Sequence, residues 1–353
     1  ILIVGALTLI YTFEGGISAV IWTDLIQLII YVGGAVIAAY ELIKLIPGGW
    51  GGFVATAGAA GKFQVFSFSW DFSSPFTFWG GVIGGTFLTL ASHGTDQLIV
   101  QRLLACRSRG DSQKALILSG FVVFVQFALF LGIGAMLFAY YSHDPLAQPL
   151  TTSDQVFPAF IVQRLPHGIA GLVIAAIFAA AMSNLSGSLN ALSSSTLMDF
   201  YEPAATGKDG AALLRLSRWF TAAWGVVLIC IAVAARGWGS VFTTGLTIAS
   251  IVYGPMLGVF LLGLLVRRAT QVGAICGMAA SFALMICIKL FSNLAWTWYV
   301  VVGTAACVLT GYLVSIAVGQ TISAVVVEVV PNSIPNAVSI VAPDVAPETE
   351  SSL

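Results

Sequence analysis

The sequence predicts an all-α protein that crosses a lipid bilayer many times, and three observations carry that expectation. Of its 353 residues 58% are hydrophobic and 8% charged, with a mean hydropathy of +0.98, which leaves too few polar groups to clothe a water-facing surface. Apolar stretches recur at the length a helix needs to cross the hydrocarbon core, about 20 residues. Short basic segments fall in alternate gaps between those stretches. In lipid every backbone N–H and C=O must be satisfied within the segment, so apolar stretches of this length read as helices.

The elements follow in order. ILIVGALTLIYT opens the chain with neither a Met nor the charged start of a signal peptide, and reads as the second half of a span whose first half is expected to be missing. Complete spans are expected near 17–46, 77–104, 114–141, 167–198, 212–235, 239–265, 271–291 and 295–318. Arg102, Arg107, Arg109 and Lys114 make one gap basic, Lys208, Arg215 and Arg218 a second, Arg267 and Arg268 a third. The positive-inside bias places these gaps in the cytoplasm. PGGWGGFVATAGAAG, YSHDPLAQPLTTSD and SNLAW then lie outside, and residues 47–76 and 142–166 are the large outer loops. Residues 319–353 are left as a cytoplasmic tail. Its end, PNSIPNAVSIVAPDVAPETESSL, is rich in Pro and small polar residues and is expected to be disordered.

Several function classes drop out. A net charge of −1 provides no basic face for nucleic acid, and the partner implied by composition is the bilayer itself. Five cysteines, Cys106, Cys230, Cys276, Cys287 and Cys307, lie in or beside apolar spans without metal-type spacing and read as small buried apolar residues. No nucleophile–base pair, HExxH or phosphate-cradling glycine loop argues for an enzyme.

The informative residues are the polar ones inside spans. In AAIFAAAMSNLSGSLNALSSSTLMDFY, residues 175–201, Ser183, Ser186 and Asn190 stand at i, i+3 and i+7 and share one helix face. Such a stripe is open to two readings. Small residues let helices approach closely while Ser and Asn hydrogen-bond across the contact; alternatively, these oxygens form half of a hard-cation site facing an inner cavity. Asp24, in GGISAVIWTDLIQ, is an intramembrane carboxylate and so demands a partner or a pathway, unless it sits at the interface and snorkels. Asp96 repeats the theme in SHGTDQLIVQR, where Arg102 reads as an inner-end anchor. Glycine pairs at Gly80–Gly81 and Gly84–Gly85 either loosen that span around a cavity or serve close packing.

Three segments taken together, YTFEGGISAVIWTDLIQ (11–27), GTDQLIVQRLLACRS (94–108) and AAAMSNLSGSLNALSSSTLMDFY (179–201), with YGPMLGVFLLGLL (253–265) as a looser fourth, resemble the sodium:solute symporters. The resemblance covers roughly residues 1–318. It implies a leucine-transporter-type fold of two inverted five-helix repeats in a multi-pass plasma-membrane protein, here expected to begin inside core helix 4 and to keep core helices 5–10 plus two extra spans. The function implied is sodium-coupled symport of a small organic solute by alternating access, with sodium as the bound ion. The alternative is a solute-sensing module of the same fold, and the short segment after residue 318 favours transport.

Carried over by position, the family's common sodium site uses the carbonyl of Ala180, the hydroxyl of Ser183 and the next residue, here Asn184 where Ser or Thr is usual. Some members bind a second sodium through the carboxylate at Asp24 and two further hydroxyls, which correspond to Ser186 and Gly187. Glycine supplies no ligand, so a second ion is not expected and Asp24 is read as an electrostatic element beside the ion path. Sugar-transporting members use an Asn and a Trp on core helix 6 where this chain has Thr89 and His93. Thr89, Ser92 and His93 are therefore the solute candidates, and small carboxylates or amino acids gain ground on hexoses.

Overall fold

The computed structural model of the protein describes residues 2–145, 150, 152–201, 210–235 and 238–318. Eleven α-helices order the described chain: α1 (Leu2–Leu45), α2 (Gly49–Ala59), α3 (Gly85–Gly94), α4 (Gln97–Leu104), α5 (Arg109–His143), α6 (Val156–Arg164), α7 (His167–Ser195), α8 (Gly210–Ala234), α9 (Val241–Leu265), α10 (Gln271–Phe291) and α11 (Tyr299–Val318). No strand occurs among the described residues. Lys208 and the expected disordered tail lie outside them.

The span pattern holds with three corrections. The partial first span and the 17–46 span are one continuous helix, because Glu14-Gly15-Gly16 contains no proline and glycine alone, at about 1 kcal/mol each, does not break a helix. The two long loops expected outside are not bare, since α2 and α6 lie within them. The stretch 77–104 is no single span. A π-helical turn at Gly80–Gly84 leads into α3, the chain leaves helical geometry at Thr95 and Asp96, and α4 restarts. Asp96 sits at φ −78° and ψ 120°, and its carboxylate accepts the Leu98 backbone N–H at 2.9 Å, which is how an N-cap starts a helix. Hydropathy cannot register a cap inside an apolar run. Among the described residues seven helical segments are long and apolar enough to span: Asp24–Leu45, Arg109–His143, His167–Tyr201, Ala212–Ala234, Val241–Leu265, Gln271–Phe291 and Trp296–Val318.

Two packed groups organise these helices. In the first, α1 runs along α7, both lean on α8, and α1 also packs on α5. Leu42 of α1 and Phe160 and Ile161 of α6 are fully enclosed, with Leu137 and Tyr140 of α5 and Val173 of α7 around them. In the second, α9, α10 and α11 pack on one another and α3 lies against α9 through Ala91, Leu257 and Val300. Lipid tails are as apolar as Leu, so close van der Waals contact and interhelical hydrogen bonds hold these groups together. Thr304 donates to the Gly254 carbonyl, just before Pro255 within α9, and Ser281 donates from α10 to the Gly303 carbonyl of α11 at 2.7 Å. One glycine of each pair serves packing: a Cβ on Gly80 would lie 3.2 Å from the Thr297 hydroxyl and one on Gly84 2.1 Å from the Thr297 carbonyl oxygen, whereas Gly81 and Gly85 have open space beside them.

Long-range ties fix the side expected to face outward. Asp154, between α5 and α6, accepts the backbone N–H of Val241 at 2.8 Å and so caps α9 from a distant stretch of chain. The Ala295 N–H donates to the Phe72 carbonyl at 2.8 Å, drawing the aromatic segment after α2 across the turn between α10 and α11. These restraints set α3 and α4 between the two helix groups, where the polar residues gather.

Candidate cation and solute site

The α7 stripe meets Asp24 directly. The Ser183 hydroxyl donates to Asp24 Oδ1, joining α1 to α7. A hydroxyl whose proton is committed to a carboxylate keeps its oxygen lone pairs for another partner, and the carboxylate increases their negative character. Cation chemistry wants that arrangement. One turn earlier, the Ala180 carbonyl accepts the Asn184 side-chain amide N–H at 3.1 Å. Asn184, an exposed residue, thus turns its donor toward the carbonyl expected to bind sodium. Ser186 is fully buried and donates to the Ser183 carbonyl at 3.2 Å, so its hydroxyl is spent within its own helix.

Arg102 departs from the sequence expectation of an inner-end anchor. From α4 its guanidinium reaches Asp24, with Nη2 2.8 Å from Oδ2. No N–H aims along the Oδ2 lone pairs, which makes the contact Coulombic more than a directed hydrogen bond. The same nitrogen lies 3.0 Å from where a Cβ on Gly187 would be. Three helices therefore converge on one carboxylate: α1 supplies it, α7 donates a hydroxyl, and α4 supplies the charge. Gln101 adds a 3.4 Å bond from α4 to Ser194 of α7. One turn beyond Asp24, the Gln27 side-chain oxygen is buried without a hydrogen-bond partner, a spare acceptor that the sequence reading passed over.

The solute candidates share α3. Ser92 Oγ lies 2.9 Å from His93 Nδ1, and both reach the Thr89 carbonyl at 3.2 Å. These bonds orient the imidazole through Nδ1 and leave Nε2 to a ligand. The Thr89 side chain is exposed and the other two are half-buried. Just beyond, Tyr253 of α9 donates its hydroxyl to Asp96 Oδ2 at 2.5 Å, a contact unread in the sequence although Tyr253 lay within a quoted segment. Asp96 is thus the clasp of the helix break, bonded to α4 by one oxygen and to α9 by the other. Among the described residues no cluster of three or more His, Cys, Asp or Glu could hold a transition metal, and a site of hydroxyl and carbonyl oxygens suits a hard cation instead.

The pattern of the sodium:solute symporter family matches residues 1–281. The chain belongs to that family. Among its relatives, the sodium/sialic acid symporter of Aliivibrio fischeri is 32% identical over 320 residues, covering 89% of this chain and 63% of the relative. The sodium/sialic acid symporter of Proteus mirabilis is 31% identical over 323 residues, covering 88% and 64%. In three dimensions the chain resembles a Na+-coupled sialic acid symporter solved in a substrate-bound, outward-open state, with a TM-score of 0.77 at 29% identity over 89% of this chain and 65% of the other. The chain spans a little under two-thirds of the length of these symporters. The symporter family and the likeness to that structure establish a leucine-transporter-type all-α fold in a multi-pass plasma-membrane protein.

Proposed function

We propose that the protein carrying this chain is a sodium-coupled symporter, importing a small organic solute by alternating exposure of a midplane site. The observation that supports this best is the Ser183 hydroxyl, polarised by Asp24 and one turn from the Ala180 carbonyl, at the depth where irregular helices meet. Sodium binds the Ala180 carbonyl and the Ser183 hydroxyl. Asn184 joins them by rotating its amide, which releases the Ala180 carbonyl and presents an oxygen in place of a nitrogen. Asp24 holds the Ser183 proton away from the ion. The break between α3 and α4 lets that segment move against α7 as the site opens to one side and then the other.

The solute lies along Thr89, Ser92 and His93. An imidazole nitrogen suits a carboxylate or another polar group better than the apolar face of a hexose, and the solute in the relatives' names is an acid. Uptake into vesicles, measured against sodium concentration, tests both parts. Ser183→Ala raises half-saturating sodium about tenfold, the cost of one charge-assisted contact. Small carboxylates compete with uptake and hexoses do not. An unchanged half-saturation, with protein present in the membrane, reduces the α7 oxygens to packing groups; competition by hexoses alone removes His93 from solute recognition.

A further inference from the structure

We infer that the Arg102 guanidinium is a tethered cation that occupies the Asp24 carboxylate in place of an ion from solution, leaving the Ala180–Ser183 position as the one place near it for sodium. This rests on reading the α7 oxygens as a cation site. The argument begins with cost: a carboxylate within a span must be neutralised, by protonation, by an ion or by a basic side chain. Asp24 has one oxygen on the Ser183 hydroxyl and the other 2.8 Å from Arg102 Nη2. The guanidinium supplies one full positive charge, which balances the carboxylate.

Geometry on α7 shows that the place is shaped for this guanidinium. Any side chain at position 187 would begin 3.0 Å from Nη2, so the arginine and the absent side chain fit each other. Serine there would push the guanidinium back by a few tenths of an ångström and add an oxygen beside Asp24. The neighbouring Ser186 is fully enclosed, so its hydroxyl oxygen is not open to an ion arriving beside Asp24. The Asp24 side chain is 17% exposed and that of Arg102 41%, so the guanidinium covers the carboxylate from the open side, where an ion would arrive. A sodium ion entering beside Asp24 would meet a positive charge already at contact distance, and the two cations would repel.

Equilibrium binding of 22Na to the purified full-length protein in detergent tests the assignment, with each variant first checked for a folded, monodisperse species. Arg102→Gln combined with Gly187→Ser removes the tethered charge and supplies a hydroxyl, and it is expected to bind one sodium more per protein than the wild type. Adding Asp24→Asn to that pair abolishes the gain. Asp24→Asn alone, with Arg102 in place, leaves the number of bound sodium ions unchanged although affinity falls through Ser183. Loss of one bound sodium in Asp24→Asn alone overturns the inference, as does a folded double variant with no extra ion. If the double variant does not fold, Asp24→Asn alone decides. A wild type that binds no sodium defeats the symport reading, while the gain or absence of an ion in the double variant still settles the role of Arg102.

Discussion

Between α9 and α11, Gly254 and Gly303 approach so closely that a Cβ on either would come within 3.1 Å of the other's Cα, and a Cβ on Gly258 would lie 2.4 Å from that of Cys307. Between α1 and α7 the nearest counterpart is Gly34, whose Cβ would meet that of Ala176 at 3.2 Å, and further along the seam glycine gives way to Asp24, Ser183 and the Arg102 guanidinium over Gly187. Both seams use small residues. The first uses them to bring backbone onto backbone, with Ser and Thr hydroxyls satisfying carbonyls across the gap; the second leaves room for polar groups. Dispersion is lost steeply with separation, so a backbone-on-backbone seam has one good register, whereas a polar seam can exchange partners. The α9–α11 seam is thus the one fixed by backbone contact, and the polar α1–α4–α7 junction the one with partners to exchange.

The comparison breaks most readily at Gly277. A Cβ there would lie 2.5 Å from the Cys307 carbonyl oxygen and 3.0 Å from Gly311 backbone atoms, none of which is the end of a flexible side chain. Gly277→Leu is expected to cost about 3 kcal/mol or more by overpacking, read as a fall in the thermal unfolding midpoint in detergent. A variant that unfolds like the wild type would mean that the α10–α11 seam is soft. An intermediate effect is expected at the clasp between the two regions. Tyr253→Phe leaves Asp96 Oδ2 without its donor, at about 1–3 kcal/mol, and amide exchange along α4 should accelerate while that of α10 does not. Unchanged exchange in α4 would show that the cap alone holds the break. The smallest effect belongs to the other seam. Gly34→Ala gains up to about 1 kcal/mol of helix propensity against mild crowding at Ala176, so its midpoint should stay near that of the wild type. A loss as large as that at Gly277 would erase the distinction.

Much of this was legible in sequence, and the limits have physical causes. Apolar length and alternating basic gaps gave the spans, because lipid penalises unsatisfied backbone wherever it occurs. Helical periodicity put Ser183 and Ser186 on one face, yet could not tell a hydroxyl aimed at a neighbouring helix from one folded back on its own, which is how the two differ. Asp24 announced that it needed a partner. Nothing local named Arg102, since the two stand 78 positions apart on helices that meet only after folding. Asn184 could be recognised as an unusual residue at the position where Ser or Thr was expected, but its amide direction depends on the carbonyl one turn back. The break at Asp96 was hidden for another reason: a hydropathy average spreads one carboxylate over a whole window, whereas capping turns on a single residue's backbone angles.

That break has an electrostatic consequence. The aligned peptide dipoles of α4 leave partial positive charge at its first turn, and an interrupted membrane helix can present such an end to an anionic solute. In this chain the end already holds an anion: Asp96 is bonded to the Leu98 N–H and fixed from behind by Tyr253. The protein carries its own counter-ion there, and a visiting carboxylate would have to displace a group covalently attached to the same backbone. Were the solute an acid, as proposed above, its recognition would fall to side chains away from the helix terminus, such as His93, whose imidazole is oriented by the bonds at Nδ1.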